Sequence, residues 1–555
     1  MLKLSMIAVV MLAGAEGAYA QQVPDAGQQI QQIPLPPVVE RPTPDLLIDK
    51  PAAPMETAVA GPKVRVNALQ VTGETLFSDE QLIAATGFTP GSELNLSDLR
   101  NIASRIARYY NDRGYFLAQA YLPAQDIEGG VVTIAVIEGR YGAIDLRNQS
   151  RLKDSVARGV LSGLDSGDIV DSAPLERRLL LLSDIPGVAV RSTLAPGSAV
   201  GTSDLIVDIV PGRSVTGSIE ADNAGNRYTG PYRLGGSVYF NNLTGSGDVA
   251  SLRVLASNLG LLYGRASYQT LLGNASVGAA YARVNYELGR EFKSLDARGS
   301  ADIFSLFGSY PVIRSRNSNL HALGAVEARY LEDRIGLTST VTNRNIHALT
   351  AGFRGDQRDA IGPGGWSTYS VGATWGKLDI ETPEARAIDA MSSRRNGTYG
   401  KLQFSVALLQ HLAGPLSLYG AIRGQVASKN LDSSEQMALG GAYAVRAYPE
   451  GEAYGDQGYL ANLEARLLLP DFSDAMPGRL QLVGFVDVGA VTLAKNPWFP
   501  GPNSARRSGY GAGIIWSNPN DFLITASYAR KLGNQPATSA PDRSGRFWVQ
   551  FVKLF

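Results

Sequence analysis

The chain has 555 residues with 51 basic and 51 acidic side chains, no cysteine and three histidines. Zero net charge gives no electrostatic reason for binding nucleic acid or an acidic substrate. The missing thiols exclude disulfides, thiolate metal sites, cysteine nucleophiles and an acylated-cysteine anchor, and His321, His347 and His411 stand in no ligand spacing.

Residues 1–20 read as a secretory signal: Lys3 gives the positive start, residues 4–13 the apolar run, and Ala18-Tyr19-Ala20 the cleavage signature. Glu16 closes the run, and no later segment reaches the roughly 20 apolar residues of a spanning helix. The mature chain is then periplasmic, secreted, or an outer-membrane barrel. Residues 21–63 form a lead-in. Residues 24–33 can make a short Gln-rich helix, after which prolines at 34, 36, 37, 42, 44, 51, 54 and 62 permit only extended chain.

From Val64 the pattern changes to a folded module, residues 64–139. Residues 64–71 alternate as a strand. Leu99, Ile102, Ala103, Ile106, Ala107 and Tyr110 mark one helical face, with Ser97 as N-cap and Gly114 as the stop. Strands follow over 116–122 and 131–138. The order β-α-α-β-β then recurs over residues 140–212: strand 141–146, helices 153–161 and 174–182, strands 188–192 and 205–210. Tandem copies of one α+β unit, each with its own apolar faces, imply two small domains.

Over residues 213–555 helices vanish. Segments of about ten residues alternate apolar and polar positions, the pattern of a transmembrane β-strand. Leu402, Phe404, Val406 and Leu408 interleave with Lys401, Gln403 and Ser405; Tyr459, Ala461, Leu463, Ala465 and Leu467 with Asn462, Glu464 and Arg466. In the same way Ala280, Ala282, Val284, Tyr286 and Leu288 form the expected lipid face opposite Tyr281, Arg283, Asn285 and Glu287. Strands begin near 213, 230, 248, 261, 275, 295, 317, 345, 364, 398, 414, 456, 478, 506, 520 and 544. That even count puts both ends of the barrel on the periplasmic side. A closed antiparallel barrel satisfies every backbone group in lipid.

Two short motifs lie near the end of the chain. Val445-Arg446-Ala447-Tyr448 falls in the longest loop, and Phe485-Val486-Asp487-Val488-Gly489 in a strand. In that strand Leu480, Leu482, Gly484, Val486 and Val488 are the lipid-side set. Phe485, Asp487 and Gly489 therefore face the lumen, where Asp487 is a natural partner for the planar Arg446 guanidinium. The chain ends in a strand carrying Phe551 and a terminal Phe555.

These features resemble the two-partner secretion transporters, the TpsB proteins of the haemolysin secretion/activation type within the Omp85 superfamily. The paired modules are similar to POTRA domains, the second through Leu175-Glu176-Arg177-Arg178-Leu179-Leu180-Leu181-Leu182 and Asp184-Ile185-Pro186-Gly187. The resemblance makes 445–448 the tip of an inward-folded sixth loop, Phe485, Asp487 and Gly489 its barrel-wall partner, and Phe551 and Phe555 an outer-membrane sorting signal. Ala447 departs from the usual glycine; should that position need positive φ, alanine would cost about 1 kcal/mol or more.

The resemblance implies two POTRA domains and a 16-stranded barrel in the outer membrane, the POTRA domains in the periplasm. It implies an extended exoprotein of the TpsA type as partner, outer-membrane lipid around the barrel, the barrel-assembly machinery during biogenesis, and no cofactor. Transport is then driven without ATP. The rival readings are an outer-membrane insertase of the same superfamily and a porin. An enzyme has little support: Gly372-Ala373-Thr374-Trp375-Gly376-Lys377 is one residue short of a phosphate loop, and no metalloprotease or nucleophile-elbow motif occurs.

Overall fold

The computed structural model describes residues 23–37, 45–48, 62–470 and 477–555. The signal segment and prolines 42, 44, 51 and 54 lie outside these.

In the first module, Val131–Ile137 is the central strand, parallel to Ala68–Thr72 and antiparallel to Gln119–Tyr121. Helix Leu96–Asn111 lays Leu99, Ile102, Ala103, Ile106 and Tyr110 against Val132, Ile134 and Val136. The helix starts two residues earlier than Ser97 would place it. Asn95 is the N-cap, because Asp98 stands three residues on and the two side chains cap each other's N–H. A second helix, Asp79–Thr86, is capped by Ser78 and Gln81 in the same reciprocal way.

Tyr110 and Glu138 form a buried polar point between the helices and the sheet. The Tyr110 hydroxyl donates to Glu138 at 3.0 Å, the N–H groups of Thr75 and Leu76 donate at 2.6 and 2.9 Å, and the Thr75 hydroxyl adds a further bond. Burial pushes the Glu138 carboxyl up, but these donors hold it below the usual range.

The second module repeats the plan. Strands Arg140–Asn148, Val188–Pro196 and Thr202–Pro211 carry helices Asp154–Leu161 and Ser172–Ser183, the latter capped by Asp171. Leu175, Leu179, Leu182, Val190, Leu205 and Val207 are among its buried core. A fourth strand was not expected: Asp45–Ile48, from the Pro-rich lead-in, adds in parallel to the outer edge of Val188–Pro196, opposite Arg191–Leu194. The apolar run Leu46-Leu47-Ile48 is long enough to pair even between prolines. This module is clamped to the barrel by Asp184, which takes two hydrogen bonds from Arg314 at 2.7 and 2.8 Å, and by Arg177 donating to the Pro311 carbonyl at 2.8 Å.

Sixteen antiparallel strands, from Val215–Asp222 to Gly545–Leu554, close into a barrel. The closing seam pairs Ser218 to Asp222 of the first strand with Gln550 to Leu554 of the sixteenth. The seventh and eighth strands, Ser318–Ile335 and Thr340–Asp359, run 18 and 20 residues, so they overreach the about 9–11 that a bilayer requires. Leu402, Phe404, Leu463 and Leu467 face outward, and Asn462, Glu464 and Arg466 face inward.

The fifth strand, Ala275–Glu287, reverses the expected faces: Ala282, Val284 and Tyr286 are buried inward, while Tyr281 and Arg283 face out. The reason is tertiary. The N-terminal helix Ala26–Gln31 lies in the lumen, and Ala26, Ile30 and Ile33 pack on Val284, Tyr286 and their neighbours. The apolar stripe meets a helix there, not lipid.

Candidate functional site

Among the described residues two segments occupy the lumen: the N-terminal helix and the sixth extracellular loop, residues 428–456, between strands Leu416–Ala427 and Gln457–Leu468. The loop folds inward, and its tip brings 445–448 onto the thirteenth strand, Arg479–Thr492.

At the tip, Arg446 meets Asp487 by three bonds. Its backbone N–H and Nε donate to Oδ2 at 3.0 and 2.9 Å, and Nη2 donates to Oδ1 at 2.7 Å. Asp487 is fully buried, and the Asn462 amide completes its shell at 2.8 Å. The Arg446 guanidinium also lies 3.4 Å over the Phe485 ring.

The pair is therefore not isolated. Nη1 of Arg446 donates to Glu464 at 2.8 Å, and Glu464 takes two further bonds from Arg466 at 2.9 and 2.7 Å. From the other side Trp548 Nε1, on the sixteenth strand, donates to the Arg446 carbonyl at 2.7 Å. Sequence reasoning found Arg446 and Asp487 but missed Asn462, Glu464 and Trp548. The signal for the first two is register: Asn462 faces Asp487, and Glu464 faces Phe485, across the strand pair.

The other motif residues converge on the same place. Val445, Ala447 and Tyr448 are buried, and the Tyr448 hydroxyl donates to the Gln535 carbonyl at 3.0 Å. Ala447 does not adopt positive φ, so the strain considered for it does not arise. Its methyl group rests on Gly509, where any Cβ would collide with it. Gly489 gives the same clearance to Leu439 of the loop. Phe551 and Phe555 lie apart from this cluster, exposed on the outward-facing side at the end of the chain.

The N-terminal helix has a separate seat. Arg344, on the eighth strand, pairs with Asp25 of the helix cap at 3.2 Å, with Asp333 of the wall at 2.5 Å, and with Asp432 of loop six at 2.6 Å. Ala26 N–H donates to Asp333 at 2.8 Å, and the Ser433 hydroxyl to Asp25 at 2.7 Å. Gly27 lets the helix touch the loop; a Cβ there would strike Ser433 and Ser434. One arginine thus joins wall, helix and loop. Among the described residues no group of His, Cys, Asp and Glu could hold a metal ion.

The match to known proteins runs over nearly the whole chain. Residues 201–514 match the haemolysin secretion/activation protein family ShlB/FhaC/HecB, and residues 64–139 the ShlB-type POTRA domain. The heme/hemopexin transporter protein HuxB of Haemophilus influenzae is 30% identical over 501 residues, covering 89% of this chain and 87% of that protein. The outer membrane transporter CdiB of Dickeya dadantii is 24% identical over 416 residues, 73% of this chain and 72% of that one. In fold, CdiB from Escherichia coli superposes with a TM-score of 0.70 at 20% identity, covering 91% of this chain and 93% of its own. BamA from Haemophilus ducreyi lacking POTRA domains 1–3 gives 0.53 at 15% identity, covering 89% and 100%. The barrel stands in the outer membrane with its POTRA domains in the periplasm, and the family is one of transport proteins, not enzymes. The chain belongs to the haemolysin secretion/activation family, the TpsB outer-membrane transporters of the Omp85 superfamily.

Proposed function

We propose that this transporter captures an unfolded exoprotein of the TpsA type with its periplasmic POTRA domains and passes it outward through the barrel lumen without ATP. One observation carries the reading: among the described residues two segments occupy the lumen, each seated by polar contacts that an incoming chain or water can replace. The tip of loop six hangs on Arg446, and the N-terminal helix on Arg344. A porin needs no such removable occupants. Folding of the cargo outside the cell supplies the direction.

Capture is by strand addition. A three-stranded sheet leaves edges with unpaired N–H and C=O groups that an extended chain can join. One edge of the second POTRA domain is covered by the chain's own Asp45–Ile48, while Arg140–Asn148 lies at the other edge of the sheet.

The name of HuxB points to heme/hemopexin and that of CdiB to no cargo, so the exoprotein is to be found by experiment. Deleting the gene should remove one large protein from the culture supernatant and leave the other outer-membrane proteins at their usual levels. An unchanged supernatant would refute the reading, and a depleted outer-membrane profile would favour an insertase.

A further inference from the structure

Glu452 lies beyond the tip of loop six and takes no part in the Arg446 network, yet it is fully buried. Donors from two other parts of the barrel fill both its oxygens. Arg507, on the fourteenth strand Ser504–Asn518, donates through Nε at 2.9 Å and Nη2 at 2.6 Å. The eighth extracellular loop, residues 532–544, supplies the rest. The Thr538 N–H and hydroxyl donate at 2.8 and 3.0 Å, and the Ser539 N–H and hydroxyl at 2.9 and 3.0 Å.

An ionised carboxylate offers about four lone-pair sites, so this one is saturated. Charge-assisted bonds of this kind are roughly twice as strong as neutral ones. Residues 533–541 include no large apolar side chain, so loop eight is seated mainly by polar contacts: these bonds to Glu452, the Tyr448 hydroxyl on the Gln535 carbonyl, and Ser539 on the Glu450 carbonyl at 3.3 Å. Beside the carboxylate a cavity of about 460 Å³ is lined by Gln28 of the N-terminal helix, Tyr454 of loop six, Arg507, Gln535 and Thr538. Loop eight thus covers space that runs down to the helix in the lumen.

We propose that Glu452 is a positioning residue for transport: it latches loop eight over the outer end of the lumen and onto loop six, so that the two loops leave together. Asp487 holds the tip of loop six to the thirteenth strand. Glu452 holds the following limb to the fourteenth strand and to the loop that precedes the closing strand. The inference rests on the reading of loop six as a movable occupant of the conduit.

The chain has no cysteine, so a single introduced thiol reports one position. Ala540 of loop eight is buried, at 8% exposure. In an Ala540→Cys background, intact cells are treated with a membrane-impermeant maleimide. Glu452→Gln should raise the labelling rate about tenfold or more, from the loss of charge-assisted bonds. Arg507→Gln should do the same, and the double variant should add little. Wild-type labelling rates in both single variants, with the barrel normally heat-modifiable, would overturn the latch. Should Glu452→Gln fail to assemble, Thr538→Val with Ser539→Ala removes two donors and keeps the Arg507 pair; unchanged labelling there overturns it equally. Labelling needs no exported protein, so this test and the supernatant test fail independently.

Discussion

Replacing Arg446 by alanine strips Asp487 of two of its four donors and leaves only the backbone N–H of residue 446 and the Asn462 amide. Asp487 is fully buried and the Arg446 side chain is 13% exposed, so solvent cannot take over the lost partner in the resting state. Breaking a buried pair typically costs about 3–5 kcal/mol. Part of the arginine edge is wet, which favours the lower end, and the lost Phe485 contact adds about 0.5–2 kcal/mol. A change of about 3 kcal/mol shifts the seated-to-released ratio of the loop more than 100-fold.

Asp487→Asn should be milder, because Arg446 keeps Glu464 at 2.8 Å. In planar bilayers both variants should open more often, Arg446→Ala more than Asp487→Asn, and both should secrete less because the tip no longer reseats. Arg446→Ala with Asp487→Ala should be little worse than Arg446→Ala alone. Additive effects in that cycle, or a larger effect from Asp487→Asn, would remove the network from the account.

The N-terminal helix should behave as a removable occupant: deleting residues 21–33 should raise conductance and sensitivity to large antibiotics while secretion continues, and loss of secretion at unchanged conductance would contradict this. Gly27→Leu should mimic the deletion, since its side chain cannot fit against Ser433 and Ser434; wild-type conductance would show that the helix does not need that contact. Purified residues 64–212 should bind the N-terminal region of the exoprotein at about micromolar affinity, as a transient encounter does; a folded fragment that shows no binding in titration calorimetry moves recognition to the barrel mouth. In the first POTRA domain the lowered Glu138 pKa makes a stability term that is present above the unfolded value of about 4.3 and lost as pH falls through the folded one. Glu138→Gln should flatten that acid limb in thermal melts, and an acid limb equal to the wild type would discount the carboxylate.

The barrel was legible because a period of two is local: each strand start falls within five residues of its expected position. The sequence misleads where a distant partner decides, and once where two nearby caps compete. Residues 280–288 are apolar toward the lumen because the N-terminal helix, some 250 positions earlier in the chain, packs there. Asn95 outcompetes Ser97 as helix cap through its reciprocal bond with Asp98, a rule that the sequence does carry. The Arg446–Asp487 pair could be drawn from facing and charge alone. Glu464, Trp548 and Glu452 could not, since their partners depend on strand register and on where long loops fold.

Passage of the exported chain inside the barrel, as proposed, is tested most directly at residues 403 and 404. Gln403 faces the lumen, where its amide donates to Gln425 at 2.8 Å, while the adjacent Phe404 faces lipid. A photo-crosslinking residue placed at 403 during active secretion should capture the exoprotein, and the same residue at 404 should not. Capture at 404 equal to that at 403, or none at 403 while secretion proceeds, would contradict passage through the lumen.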